Sequence, residues 1–338
     1  MDDNLIKQYN KVSKKLRIKR KEYLWHWVIK AFKITTILSR KNKYYRESVK
    51  IKFLGVLLIV LLDDIAENLQ NKELLNIASK IVKEEFDCFA RNNNVKEKIA
   101  LGGHNYFSAA ESDYLSFVKK ITQEMLTDVS VLPNYNLLKK DFYRYWLRVI
   151  NCFKFTLYVN KLVKEGTEPK IEKYFNNLSH SRYTNIMGHN MHVVLAMIID
   201  LMSLPKINRK EINLSIKISE EAQAMGRIDN WLSTWKRELV EKDFSSGVSI
   251  YLVKNKSIGV KDIKTYIGND GKKNNKAMSK LVKQIKKSNF INYFMKKWKK
   301  HRTKIKQYSG RITIFSVDEY LKGADSFLKL HLDNKNRI

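Results

Sequence analysis

Proline is scarce in this chain, three in 338 residues, and glycine numbers only twelve. A sheet-rich protein needs both at its turns, so their scarcity argues against an all-β architecture and for long, uninterrupted helices. The two cysteines, Cys88 and Cys152, make no disulfide framework and stand in no metal-ligand spacing. That implies a reducing compartment, by default the cytoplasm. The longest apolar run, Phe53 to Leu62, is ten residues. A bilayer span needs about 20, so this run predicts a helix buried on all sides. The opening, Met1-Asp-Asp-Asn4, lacks the basic-then-apolar pattern of a secretory leader. Acidic residues are also in deficit, 34 against 65 Lys and Arg, which gives a formal net charge of +31.

That charge is unevenly spread. Between Lys254 and Lys306, seventeen Lys and one Arg stand against two Asp, a net of +16. The joint abundance of Asn, Lys and Ile suggests AT-rich codon usage, and on that reading the lysines are a solvated surface. The other reading is an anionic partner, nucleic acid or membrane. No recognised nucleic-acid motif accompanies the lysines, so no specific nucleic acid is expected. Met278, Leu281, Val282, Ile285, Phe290, Ile291, Phe294, Met295 and Trp298 follow a helical period. The region is therefore an amphipathic helix or helix pair with a face to bury, and it could hold the protein near an anionic membrane.

Helical patterns recur along the whole chain. One or two basic helices lie within Leu5–Leu38, an apolar helix ends near Asn68, and another carries Leu74 to Phe89. A loop at Arg91–Asn94 precedes patterns over 108–128 and 136–164. Further patterns cover 171–180, 182–203 with a break at Gly188, and 215–241, and a loop is expected at Gly268–Asn275. No repeat and no clear linker is visible. The prediction is an all-α single domain over 1–338, with a basic helical segment at 1–48, a helical bundle at 49–315 and a C-terminal helix or tail at 316–338.

Two oxygen-rich clusters stand out. Asn230, Thr234 and Glu238 recur every four residues, so on an α-helix an amide, a hydroxyl and a carboxylate share one face. Three hard oxygen donors in a row suit Mg²⁺, and Arg237 lies close enough to meet an anion held there. Asp63 and Glu67, also four apart, follow the ten apolar residues directly, with Asp64 and Asn68 beside them. Unpaired carboxylates are costly to bury, so these belong at the mouth of a cavity where divalent cations offset their repulsion. A solvated helix end and a polar helix face are the plain alternatives for the two clusters.

Together the clusters resemble the microbial class I terpene synthases. Asp63-Asp-Ile-Ala-Glu67 looks like that family's aspartate-rich motif, and Asn230-Trp-Leu-Ser-Thr234-Trp-Lys-Arg-Glu238 like its second metal motif. Trp231 stands where the family usually has Asp, at a non-ligand position. Arg237 matches the basic residue before the Glu that contacts diphosphate. Arg182, 48 residues upstream of Asn230, fits the family's diphosphate-sensing Arg, with Asn185 as linker residue and a helix break near Ile186–Gly188. Arg311, 81 residues downstream, fits the Arg of an Arg-Tyr pair whose Tyr is Ile312 here. The wording around Arg227–Trp235 is similar to bacterial diterpene synthases, including the kaurene-synthase type.

The resemblance implies a class I α-helical bundle around a central active-site cavity. It implies Mg²⁺, three ions with diphosphate bound, held by Asp63, Asp64 and Glu67 on one side and Asn230, Thr234 and Glu238 on the other. Arg182, Arg237 and Arg311 would bind diphosphate. The reaction implied is ionisation of an allylic prenyl diphosphate and cyclisation of the cation to a hydrocarbon or alcohol. A C20 substrate, geranylgeranyl or a bicyclic C20 diphosphate, comes first and C15 farnesyl diphosphate second. Phe86, Phe89, Phe153 and Trp231 are candidate cavity-wall aromatics, or plain core. An upstream prenyltransferase or class II cyclase and a homodimer are the protein partners it brings into view. No Asp-x-Asp-Asp motif accompanies the clusters, which gives no support to a protonation-initiated cyclase in the same chain. From another class altogether comes a basic helical module that binds nucleic acid or membrane. His189 and His192 permit a zinc site by spacing, but no third ligand is evident.

Overall fold

Apolar periodicity with few helix breakers yields helices, and the computed structural model, which describes residues 3–90, 107–268 and 271–334, is all-α, with no strand among the described residues. Its α-helices are α1 (Asp3–Lys15), α2 (Tyr23–Thr35), α3 (Tyr45–Asp63), α4 (Lys72–Ala90), α5 (Ala109–Ser130), α6 (Tyr135–Glu165), α7 (Glu168–Asn177) and α8 (His180–Gly188). They continue as α9 (Val193–Met202), α10 (Arg209–Val240), α11 (Gly247–Lys254), α12 (Val260–Gly268), α13 (Gly271–Lys287), α14 (Phe290–Lys306) and α15 (Val317–Asp333). A π-helical turn, Asp64–Leu69, follows α3, and a 3-10 turn, His189–Met191, follows α8. The loop expected at Arg91–Asn94 lies outside the described residues. Among the described residues no single helix is long and apolar enough to cross a membrane; His180–Met191 and Val193–Met202 reach that length and composition only when counted together.

The chain forms two compact units, Met1–Ile150 with Val194–Asn213, and Asn151–Val193 with Leu214–Ile338. In the first unit α3 packs on α5 and α2, and α5 packs on α4 and α1. The apolar run Phe53–Leu62 is buried, with Val56 alone part-exposed. Lys52, one residue earlier, is buried too. It ion-pairs with Asp200 of α9, whose carboxylate also accepts from Ser48 Oγ at 2.8 Å, Thr36 Oγ1 at 2.9 Å and the Ile37 amide at 3.1 Å. Burial pushes the Lys52 ammonium below its usual pKa, against the pull of Asp200. A buried charge survives only where its partner and the partner's remaining lone pairs are satisfied, as here. At the start of α5, Ser108 and Glu111 cap each other's backbone N–H, which fixes where that helix begins.

In the second unit α7 packs on α11 and α12, α12 on α13, and α14 on α11 and α15. Serines open three of its helices: Ser179 accepts from the Arg182 amide, Ser246 from Ser249 and Ser316 from Glu319. The chain leaving α10 is fastened by Asp243, whose Oδ1 accepts from Asn160 Nδ2 at 2.9 Å and from the Ser245 amide and hydroxyl. The break expected at Gly188 is present: α8 ends at Gly188, the 3-10 turn follows, and His192 takes a left-handed φ of 62° before α9. Of the loop expected over Gly268–Asn275, residues 269–270 lie outside the described residues, and the stretch from Gly271 is already helical as α13. Packing on α12 overrides the weak helix preference of Gly and Asn there.

Candidate functional site

The acidic cluster and the Asn-Thr-Glu cluster belong to different units, and each is built by its own surroundings. Asp63 closes α3 and Asp64 opens the π turn. Asp64 is fully buried. Its Oδ1 accepts from Arg20 Nε at 2.8 Å and Asn68 Nδ2 at 3.1 Å; its Oδ2 accepts from Tyr9 Oη at 2.8 Å and Tyr114 Oη at 3.0 Å. Four donors from four chain segments thus fill the carboxylate's acceptor sites. Arg20 Nη2 also donates to Asp63 Oδ2 at 2.5 Å. Asp63 and Arg20 are each 16% exposed, so this pair is largely out of water.

The electrostatics agree with that geometry. Burial alone would lower the pKa of Arg20, but Asp63 and Asp64 more than offset it and raise it well above the ordinary value. Burial raises Asp64, against the opposing pull of Arg20 and Tyr9. The Tyr9 and Tyr114 phenols are pushed up, first by burial and then by the Asp64 charge, and so stay protonated as donors. Glu67 is part-exposed and feels the same guanidinium.

In the second unit α10 carries Asn230, Thr234 and Glu238 at helical spacing. Thr234 and Glu238 are buried and Asn230 is part-exposed. Thr234 Oγ1 lies 2.8 Å from Glu238 Oε1 and 2.7 Å from the Asn230 carbonyl oxygen. One hydroxyl proton cannot serve both acceptors. Burial pushes the Glu238 carboxyl up to about 7, against Arg227 and against the Thr234 hydroxyl when it donates to Oε1. Glu238 Oε2 is buried without a hydrogen-bond partner among the described residues. Asn230 Oδ1 accepts from Arg227 Nη1 at 3.0 Å. Asp229 faces another way: it is buried, its pKa is raised by burial, and it is influenced by Trp298 of α14 and Asp325 of α15.

The arginines differ in placement. Arg237 is part-exposed, with its Nε 3.4 Å from Glu241, and its charge lowers the pKa of Glu238. Arg182 is exposed in the first turn of α8, and Arg311 is exposed over the Tyr308 ring at 5.4 Å. No hydrogen bond or ion pair among the described residues joins Arg182 or Arg311 to Asn230, Thr234 or Glu238.

Trp231 is fully buried. It stacks on Tyr183 at 5.3 Å with 18° between planes, meets Phe294 at 5.4 Å and lies under Arg227. A Cβ at Gly247 would come within 2.7 Å of its ring, so only glycine lets α11 begin there. Phe153 is fully buried, Phe86 stacks on Tyr143 and Phe89 meets Tyr135 edge-on. His189 Nδ1 pairs with Gln223, and His192 is buried.

Arg20, Tyr9, Tyr114 and Arg227 do not emerge from sequence reasoning. Arg227 had a signal, since it lies three residues before Asn230 on the same helix. The other three had none, because 44 to 55 residues separate them from Asp64. No protein-family model matches the chain, and no curated protein matches it.

Proposed function

We propose that this protein is a Mg²⁺-dependent class I terpene synthase. It would ionise an allylic prenyl diphosphate and cyclise the cation to a hydrocarbon or alcohol, releasing diphosphate. Geranylgeranyl or a bicyclic C20 diphosphate is the preferred substrate, with farnesyl diphosphate the alternative. One observation carries this reading: Glu238 is a buried carboxyl in helical register with Thr234 and Asn230, with one oxygen on Thr234 and the other unpartnered.

The donor chemistry fits the ion. Amide, hydroxyl and carboxylate oxygens are hard ligands, and Mg²⁺ takes one or two carboxylates and completes its shell with water and substrate phosphate. Bound there, the metal would supply Lewis-acid stabilisation of charge on the departing diphosphate. Asn230, Thr234 and Glu238 are its ligands on α10, and Arg227 orients the Asn230 amide. Arg237, Arg182 and Arg311 supply guanidinium groups for diphosphate oxygens. Asp63, Asp64 and Glu67, in the first unit, are a ligand set of their own, and there a metal would compete with Arg20 for the same oxygens.

The test is incubation of the purified chain with C10, C15, C20 and C25 diphosphates and a bicyclic C20 diphosphate, with Mg²⁺, followed by hydrocarbon analysis. Turnover should fall at least about 100-fold in Glu238→Ala and Asn230→Ala, the scale expected when a group stabilising transition-state charge is lost. Mg²⁺ with inorganic diphosphate should raise the melting temperature of the wild type and not of Glu238→Ala. Unchanged turnover in both variants, or no product from any diphosphate, would overturn the assignment.

A further inference from the structure

From Gly271 to Lys306, thirteen Lys and one Arg occur without a single Asp or Glu. The chain's net +31 therefore leaves only +17 for the other 302 residues. Codon usage that favours Lys raises the count everywhere. It does not place nearly half the excess in 36 residues and at the same time exclude every carboxylate from them.

The fold sorts these charges onto one side of each helix. On α13, Lys276, Lys283, Lys286 and Lys287 are exposed while Leu281 and Ile285 are buried. On α14, Lys296, Lys299, Lys300 and Lys306 are exposed while Phe290, Phe294, Trp298 and Ile305 are buried. Spacings of three, four and seven keep each set in a stripe. The ion pairs here use other residues: Lys280 with Asp262, Lys304 with Glu221, and Arg302 with Asp325. None of the eight stripe lysines has an ion-pair partner among the described residues. Ile291, at the head of α14, is 53% exposed.

We propose that the lysine stripes of α13 and α14 form a docking surface for an anionic lipid bilayer. An ammonium is a point charge on a flexible stem; it suits a field of mobile headgroups rather than a fixed donor–acceptor pattern. Sequence-reading nucleic-acid sites rely on Arg forks, and single-strand sites on exposed rings for base stacking. Here the one Arg is committed to Asp325, and Phe290, Phe294 and Trp298 are buried. An exposed Ile291 beside lysines can enter the acyl boundary, while lysine stems lie along it with their charges in the headgroups. This inference stands independently of the metal chemistry.

Flotation of the full chain with vesicles tests it. The wild type should bind vesicles of equal parts phosphatidylcholine and phosphatidylglycerol at low salt, release at high salt, and ignore pure phosphatidylcholine. Lys→Gln at 283, 286, 287, 296, 299 and 300 should weaken partitioning at least about tenfold. Lys→Gln at 41, 43, 72, 140, 206 and 210, all exposed positions in the first unit and none in α13 or α14, leaves the same net charge and should stay within about twofold of wild type. The triple Lys296→Gln, Lys299→Gln, Lys300→Gln serves as a milder variant, and circular dichroism checks that each set is folded. Equal losses in the two six-fold variants, absence of binding by the wild type, or a stripe-dependent loss seen with duplex DNA or single-stranded RNA instead of vesicles, would each overturn the proposal.

Discussion

The acidic cluster and the Asn-Thr-Glu cluster solve one problem, a carboxyl group out of water, in opposite ways. Asp64 has its lone pairs filled by Arg20, Asn68, Tyr9 and Tyr114, and Arg20 also pairs with Asp63. Glu238 has one hydroxyl neighbour and an unpartnered oxygen, and it meets burial by holding its proton up to about pH 7. The first cluster is an internally closed ion-pair network; the second is a buried carboxyl with one oxygen left unpartnered. The difference teaches that motif residues of one chemical type can differ in how available they are, and that availability is set by residues outside the motif.

The largest effect should come from breaking the closed network. Arg20→Ala leaves two largely buried carboxylates without their cation and is expected to cost about 3–5 kcal/mol in urea unfolding. Combining it with Asp63→Asn and Asp64→Asn should recover much of that loss. A cost near zero for Arg20→Ala alone would mean the network is not closed.

The second comparison is with pH. The Glu238 carboxyl sits at about 7 in the folded chain, above its ordinary value of 4.5. The folded state therefore holds the proton more tightly, so its stabilising contribution is full below pH 4.5 and is lost as pH rises through 7. The loss is on the order of 3 kcal/mol, and Glu238→Gln should flatten it. Denaturant midpoints at pH 5, 6, 7 and 8 in the metal-free protein provide the measurement, and a wild-type slope identical to that of Glu238→Gln would remove Glu238 from the account.

The smallest effect sharpens the picture of Asp64. Tyr9→Phe removes one of its four donors and leaves Arg20 in place, so it should cost about 1–2 kcal/mol, visibly less than Arg20→Ala. If the two cost the same, the guanidinium is no more important than a phenol.

Much of the helical framework was legible in the sequence, because periodicity is a local signal. Phe53–Leu62 reads as a buried helix and is one, and the lysine-rich region reads as an amphipathic pair and becomes α13 and α14. The start of α13 at Gly271 was not legible, since it depends on packing against α12. Within the candidate site, the four-residue ladder from Asn230 to Glu238 was legible as a helix face. The partners of Asp64 were not: Arg20 reads as one more surface cation in a basic N-terminal segment, and only tertiary structure brings it to Asp63 and Asp64. Lys52 escaped in the same way, as a lysine at the head of an apolar run that finds Asp200 far along the chain.

The π-helical turn from Asp64 to Leu69 has a consequence for how such sequences are measured. A π turn holds one residue more than the α turn it replaces. A motif written as fixed offsets is a ruler with even graduations, and here the graduations stretch one residue after the first aspartate. Deleting one residue between Ile65 and Leu69 would shorten the chain by one but also re-aim everything downstream, Glu67 and Asn68 included if they lie past the cut. Distances counted in letters and distances measured in ångströms part company at that turn.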